Sequence, residues 1–245
     1  NGAIIHYRSD KFSNRKLRKD DLLLLDSGGQ YKWGTTDVTR TVCFSNVSNK
    51  VKDIFTRVLK GHIAVALTNI NKVRNGHNID KIARKSLNSI GLDYRHGTGH
   101  GVGAFLNVHE GPQGISKNNF VKLKEGMILS NEPGYYKKND FGIRIENLVF
   151  IKKTKSKLLF ENLTMAPIDT DLINFKMLSK KEKNYLFKYH FDVYNNISPF
   201  LNKKIFFENL TLAPIEKELI NYDLLTTLEK NYLFKYHINV YYKIS

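Results

Sequence analysis

Glycine occupies every second position in one stretch of this chain, His96-Gly97-Thr98-Gly99-His100-Gly101-Val102-Gly103, and that stretch restricts the fold more than any other. Side chains of an extended segment alternate between two faces, so the glycines leave one face bare and let a substrate or a metal cluster approach the backbone. Their spacing is not that of a dinucleotide-binding loop, and no Gly-Lys-Ser/Thr follows as a phosphate loop requires. A third histidine stands close by in Asn107-Val108-His109-Glu110-Gly111-Pro112. One histidine in a strand is usually structural or solvated. Three so close together and flanked by glycines call for chemistry.

Acidic residues supply a second pattern. Leu22 to Asp26 reads as a strand followed by Gly28-Gly29, and a second strand runs through Asp37-Val38-Thr39-Arg40-Thr41. A hairpin centred between Tyr31 and Lys32 would oppose Asp26 and Asp37, with Cβ atoms about 4.5–5.5 Å apart. Carboxylates that close resist joint ionisation unless a cation lies between them. The arrangement recurs where Ser130-Asn131-Glu132 leads through Lys137-Lys138-Asn139-Asp140 to Ile143-Arg144-Ile145-Glu146. A connection centred on Asn139 opposes Glu132 and Glu146, and alternation places Arg144 on the face of Glu146. Either acid pair alone would pass for a solvated hairpin edge. The repetition, together with the histidines, points to metal binding.

Two amphipathic helices are expected between these segments. The first spans about 49–69, where Val51, Ile54, Phe55, Val58, Leu59, His62 and Val65 form one stripe. The second spans about 79–90, capped by Asn78 and ended by Gly91, with Ile79, Ile82, Ala83, Leu87 and Ile90 inward. Both stripes read as core. Beyond Lys157 the chain repeats itself at an offset of 47 residues: Phe160-Glu161-Asn162-Leu163-Thr164 returns as Phe207 to Thr211, and Lys183 to His190 returns identically as Lys230 to His237. Capping boxes precede both helices, Ser179 with Glu182 and Thr226 with Glu229. Two copies are too few for a solenoid, so a tandem duplication of a terminal segment is the simpler account. One docking site can seat only one copy; the other must hang free, pack elsewhere or mediate association.

The net charge of +16 raises the question of nucleic acid. Residues 1–150 carry 24 basic and 13 acidic side chains and 151–245 carry 15 and 10, so the excess is spread out and no nucleic-acid module accompanies it. No apolar stretch approaches the roughly 20 residues of a membrane helix. The lone cysteine, Cys43, forbids an internal disulfide and suits a reducing cytoplasm, where the sequons at Asn46, Asn162, Asn196 and Asn209 carry little meaning. The strand-like Ala3-Ile4-Ile5-His6-Tyr7 stands almost at the first residue, Asn1, which suggests a piece of something longer.

Taken in order, the two aspartates in their hairpin, His-Gly-Thr-Gly-His-Gly-Val-Gly, Asn-Val-His-Glu-Gly-Pro, Ser-Asn-Glu-Pro-Gly-Tyr-Tyr and Gly-Ile-Arg-Ile-Glu-Asn resemble the Xaa-Pro aminopeptidases, within the wider pita-bread group of prolidases and methionine aminopeptidases. The likeness extends from His6 nearly to Leu201. It implies an α+β, pita-bread (creatinase/aminopeptidase-like) catalytic domain, incomplete at its N-terminal edge, over 1–157. The family's C-terminal tail would follow at 158–201 and again, duplicated, at 202–245. By resemblance Asp26, Asp37, His100, Glu132 and Glu146 are metal ligands, and His6, His96 and His109 are substrate-binding and proton-handling histidines.

Four carboxylates and one imidazole suit two Mn²⁺, with Zn²⁺ or Co²⁺ as substitutes. Two metals about 3.5–4 Å apart share a water and lower its pKa, and the resulting bridging hydroxide is expected to attack the scissile carbonyl. Glu132 would take the proton while the histidines bind the carbonyl oxygen, and Arg144 would orient a carboxylate or contact substrate. The expected substrate is a peptide with proline at position 2. A prolidase-like dipeptidase and a non-catalytic interaction module are the alternatives. The resemblance implies a homodimer, and a separately encoded N-terminal part would supply what the domain lacks.

Overall fold

The computed structural model describes residues 10–103 and 107–200, with Ile5 and Tyr7 before them and 224–226, 229 and 233 near the end. His6 and most of the expected first strand lie outside the described residues. The chain divides into two compact units, Asn1–Pro199 and Phe200–Ser245. In the second unit the described residues retain the Thr226 capping box, in which the Glu229 backbone donates to Thr226 Oγ1 and the Thr226 backbone to Glu229 Oε2.

In the first unit, strands β1 (Leu22–Tyr31) and β2 (Gly34–Cys43) form an antiparallel ribbon. Pairing continues to Tyr31 and Gly34, which leaves Lys32-Trp33 as a two-residue turn. The hairpin centre is therefore one residue later than expected, and the pairing changes: Asp26 opposes Thr39, while Asp37 opposes Gly28. A register change of two keeps every side chain on its face. The aspartates share a face as diagonal rather than direct neighbours.

Helix α1 (Asn49–Ala66) is capped by Ser48, whose side chain accepts from the Val51 backbone. It buries Ile54, Phe55, Val58, Leu59 and Ile63 completely or nearly so, following the expected stripe, and ends three residues early. Helix α2 (Gly76–Asn88) starts three residues before the expected point. Its cap is Asn75, and Asn78 supplies the backbone N–H that Asn75 accepts. Gly76 hides that start in the sequence and is needed there: a Cβ would lie 1.7 Å from the Gly114 carbonyl oxygen. Gly91, at φ +73°, closes the turn after the helix and leaves Ile90 43% exposed instead of inward.

The glycine-rich segment contributes β3 (Gly99–His100), paired with β4 (Gly114–Ile115). Its bare face meets the protein's own backbone, not an open cleft. A Cβ on Gly99 would lie 2.0 Å from the Ser130 carbonyl oxygen, and one on Gly101 2.1 Å from that of Glu110. Next come β5 (Ile128–Asn131), β6 (Gly134–Tyr136), β7 (Gly142–Arg144), β8 (Asn147–Thr154) and β9 (Lys157–Asn162). One sheet has the order β5-β8-β9, and β6 and β7 form a separate hairpin turning at Asn139, whose φ of +58° is a conformation asparagine tolerates. Helix α3 (Lys180–Ile197) follows, with the capping box of Ser179 and Glu182 as expected, and buries Leu186, Tyr189, Phe191 and Val193. It closes a core built from α1, the β6–β7 hairpin and the segment around Leu172. A second core joins α2 to the β5-β8-β9 sheet.

Candidate metal centre

Glu132 and Glu146 face each other where two hairpin ladders are interrupted. Asn131 opposes Asn147 on one side of the gap and Gly134 opposes Arg144 on the other, so both ladders share one register centred on Asn139. Inside the gap the glutamates bond to different partners. The Glu132 N–H donates to the Thr98 carbonyl and the Glu146 N–H to that of Thr39. Those two bonds stitch the glycine-rich strand and the β1–β2 ribbon to the same point. Histidine and aspartate thereby meet the glutamates.

Asp37, His100 and Glu146 each present a ligand atom within 4.8 Å of the other two. His100 Nε2 lies 3.4 Å from both Asp37 Oδ2 and Glu132 Oε1. Its other nitrogen, Nδ1, is 3.0 Å from the Gly101 carbonyl oxygen, so Nδ1 carries the proton and donates there while Nε2 is left to face the carboxylates. Ser130 fixes the neighbour: its hydroxyl accepts from the His100 backbone at 2.9 Å and donates to Glu132 Oε1 at 2.9 Å. Asp26 is 44% exposed and lies to one side, held by Arg144 Nη2.

Arg144 is 2% exposed and turned inward. Besides Asp26 it donates to the Tyr136 hydroxyl at 2.8 Å and to Thr39 Oγ1 at 3.0 Å. Thr39 in turn donates to Glu146 Oε2 at 2.7 Å. Among the other expected site residues, His109 packs edge-on against His100 with ring centroids 4.2 Å apart. His96 lies between Tyr94 and Tyr136, at 4.9 and 5.3 Å.

The electrostatics are those of a site built around missing positive charge. Burial, then the carboxylates of Glu132 and Asp37, push Glu146 up to about 8. Burial likewise lifts Glu132 to about 7, against the pull of His100 and Ser130. Burial opposes the charging of His100, but Asp37 and Glu132 outweigh it and raise the imidazole to about 9. Four carboxylates with one guanidinium and one imidazole are short of cations, and an oxygen-rich set with one nitrogen suits hard or borderline divalent metals.

The sequence reading missed several residues that hold this site. Thr39 is fully buried and, two residues after Asp37, shares its face, a signal that period-two reading carries. Ser130 and Tyr136 flank the expected ligands without any pattern of their own. His62 read as part of the α1 stripe. Its Nδ1 is 3.1 Å from the Asn131 carbonyl while Asn131 Nδ2 donates to the His62 carbonyl at 3.0 Å, so it ties α1 to the strand entering Glu132. Burial drives that imidazole down to about 3, so it is neutral. A cavity of about 380 Å³ lined by Ile63, Leu67, Val73 and Ile82 is separate from this cluster.

A mixed α+β domain that gathers carboxylates and an imidazole at one point presents a candidate divalent-metal centre. The model of metallopeptidase family M24 matches residues 1–153, and that of the C-terminal region of the same peptidases matches 157–206 and again 204–245. The chain belongs to metallopeptidase family M24. It is 50% identical over 211 residues to aminopeptidase P2 of Arabidopsis thaliana, covering 82% of this chain and 30% of that protein. It is 46% identical over 212 residues to Xaa-Pro aminopeptidase 1 of Dictyostelium discoideum, with 83% and 34% covered. Among solved structures it resembles the X-prolyl aminopeptidase of Caenorhabditis elegans, described as a cytosolic enzyme with a di-nuclear active site (TM-score 0.77, 40% identity, 82% of this chain and 34% of that one). A dipeptidase of Pyrococcus horikoshii gives a TM-score of 0.59 at 30% identity, covering 68% and 44%. The chain thus spans about a third of the length of the aminopeptidases it matches.

Proposed function

We propose that this chain carries the catalytic centre of a metal-dependent aminopeptidase that releases the N-terminal residue of peptides with proline at position 2. The observation that carries the proposal is the meeting of Asp37, His100 and Glu146, with Glu132 against the same imidazole, at a point too poor in positive charge to keep both glutamates ionised. Asp26, Asp37, His100, Glu132 and Glu146 would hold two divalent cations, with Mn²⁺ the best match to an oxygen-rich donor set and Zn²⁺ or Co²⁺ able to substitute. Such a pair supplies an acidified water and Lewis-acid polarisation of the scissile carbonyl.

The chain's own residues do the rest. Glu132, oriented by Ser130, takes the proton of the attacking water. His96 and His109 bind the carbonyl oxygen as charge develops on it. Arg144 holds the Asp26 carboxylate beside the cluster. His6 joins the substrate-binding set by resemblance. The domain would comprise residues 1–157 with its tail at 158–201 and a second tail at 202–245, working in the cytoplasm alone, as a homodimer or with a separate N-terminal part, and without nucleic acid. Among the described residues no helix is long and apolar enough to cross a membrane.

The test is metal analysis of the purified chain combined with an Xaa-Pro-Xaa tripeptide assay, with Xaa-Pro dipeptides as the comparison. Two ions per chain and release of the first residue from tripeptides are expected. Turnover of dipeptides alone would make it a prolidase, and neither metal nor turnover would leave an interaction module. Glu132→Gln should lower kcat at least about 100-fold while the chain still binds metal; undiminished kcat would remove Glu132 from the role of base.

A further inference from the structure

The first tail is held to the catalytic part by side chains that the second tail also possesses. Asn162 joins Asn147 and Tyr185, Thr164 Oγ1 accepts from the Leu148 backbone, and Glu182 Oε2 lies 2.7 Å from Lys60 Nζ. The Tyr189 hydroxyl accepts from Arg40 at 2.8 Å and donates to the Ala166 carbonyl at 2.6 Å. Displaced by the 47-residue repeat, Asn162, Thr164, Glu182, Tyr185 and Tyr189 recur as Asn209, Thr211, Glu229, Tyr232 and Tyr236. The apolar face repeats too: Leu172, Ile173, Leu178, Leu186 and Val193, all buried, recur as Leu219, Ile220, Leu225, Leu233 and Val240. One gripping residue changes. Asp169, whose carboxylate accepts from the Cys43 backbone, recurs as Glu216 with the same charge.

The repeat also includes the strand that enters the seat. Lys157-Leu158-Leu159-Phe160-Glu161-Asn162, which is β9 and pairs with β8, recurs as Lys204-Ile205-Phe206-Phe207-Glu208-Asn209. The β8–β9 turn, Lys155-Ser156, is exposed. Exposed hairpin turns tolerate inserted segments, and loop-closure cost rises only with the logarithm of length. A chain that leaves β8, loops out residues 157–203 and re-enters at Lys204 would meet every partner that the first copy meets.

We infer that the tail seat, formed by Arg40, Lys60, Asn147 and β8, is a two-occupant site that the second tail takes within the same chain when the first is released. Linkage through one chain keeps the second copy at high effective concentration, so the exchange requires no partner.

The test uses the full chain and the Lys60 ion pair as its reporter. Zero-length carbodiimide coupling followed by peptide mapping should link Lys60 to Glu182 in the unaltered protein and in Leu233→Asp. In Leu186→Asp, which places a charge on a buried helix position, the link should move to Glu229. The Tm of Leu186→Asp should fall by no more than about half of the drop in Leu186→Asp/Leu233→Asp, where neither copy can sit. If Leu186→Asp is as damaging as the double variant, or yields no Lys60–Glu229 link, the seat is not shared. Mixing ¹⁴N and ¹⁵N chains separates linkage within a chain from linkage between chains; Lys60–Glu229 links found only between chains would also overturn the inference.

Discussion

Replacing Arg84 by Met should destabilise the first compact unit more than any single surface change. Arg84 is 4% exposed on α2, and its guanidinium grips Asp80 through two bonds of 2.8 and 3.0 Å. It also donates to Asp93 and to the carbonyls of Tyr94 and His96, and it lies 3.9 Å from the Tyr94 ring centroid. Asp80, 1% exposed, accepts in addition from Thr98 Oγ1. The network therefore clamps both ends of the segment between His96 and Thr98. Removing the cation strands a buried carboxylate, at a cost of about 3–5 kcal/mol. For a domain of this size that corresponds to a fall in Tm of roughly 6–20 °C.

Because Asp80 is the group left unpaired, Arg84→Met combined with Asp80→Leu should cost less than the sum of the single changes, by at least about 1 kcal/mol. Thermal and urea unfolding of the four proteins measures this cycle. A single-variant loss below about 1 kcal/mol, or strict additivity, would show that the buried pair does not organise the loop.

Other consequences concern the metal centre. Thr39→Val keeps the shape but removes the buried bonds to Glu146 and Arg144, and should weaken divalent-ion affinity about 10–100-fold by calorimetry and cost about 1–3 kcal/mol in urea unfolding. Gly99→Ala forces a Cβ against the Ser130 carbonyl, so a loss of about 1–3 kcal/mol in urea unfolding is expected, with weaker metal binding as His100 shifts. In metal-free protein the native state keeps protons on Glu132 (about 7) and Glu146 (about 8) that the unfolded chain gives up near 4.5. His100, raised to about 9, adds to this above about pH 6.5, whereas the buried neutral imidazoles of His62 (about 3) and His190 (about 4) offset the glutamates below about 6.5. Stability should therefore change little up to about pH 6.5 and fall as pH rises from about 6.5 to about 9, and saturating metal should reduce the fall; a flat Tm profile over that range without metal would contradict the burial of these carboxylates.

Local order was largely legible in the residue pattern. The α1 stripe, the Ser179 capping box, the turn at Asn139 and the alternation that puts Arg144 and Glu146 on one face depend on neighbours a few positions apart, and all stand in the structure. The start of α2 was not, because Gly76 and His77 look like loop until the Gly114 carbonyl is seen pressing on the backbone. The β1–β2 register also escaped, since a shift of two leaves the polar and apolar faces unchanged and so leaves no trace in the pattern.

By itself the amino-acid order determined which residues are candidates for the chemistry: two acid-bearing hairpins and a glycine-spaced histidine segment can be read from residue types at fixed spacing. Only the tertiary structure decided how they meet. The N–H groups of Glu132 and Glu146 turn away from each other to Thr98 and Thr39, and the glycines serve to admit the Ser130 and Glu110 backbones. These contacts join segments far apart in the chain. They follow from the need to pair every buried backbone group, a condition that no local spacing encodes.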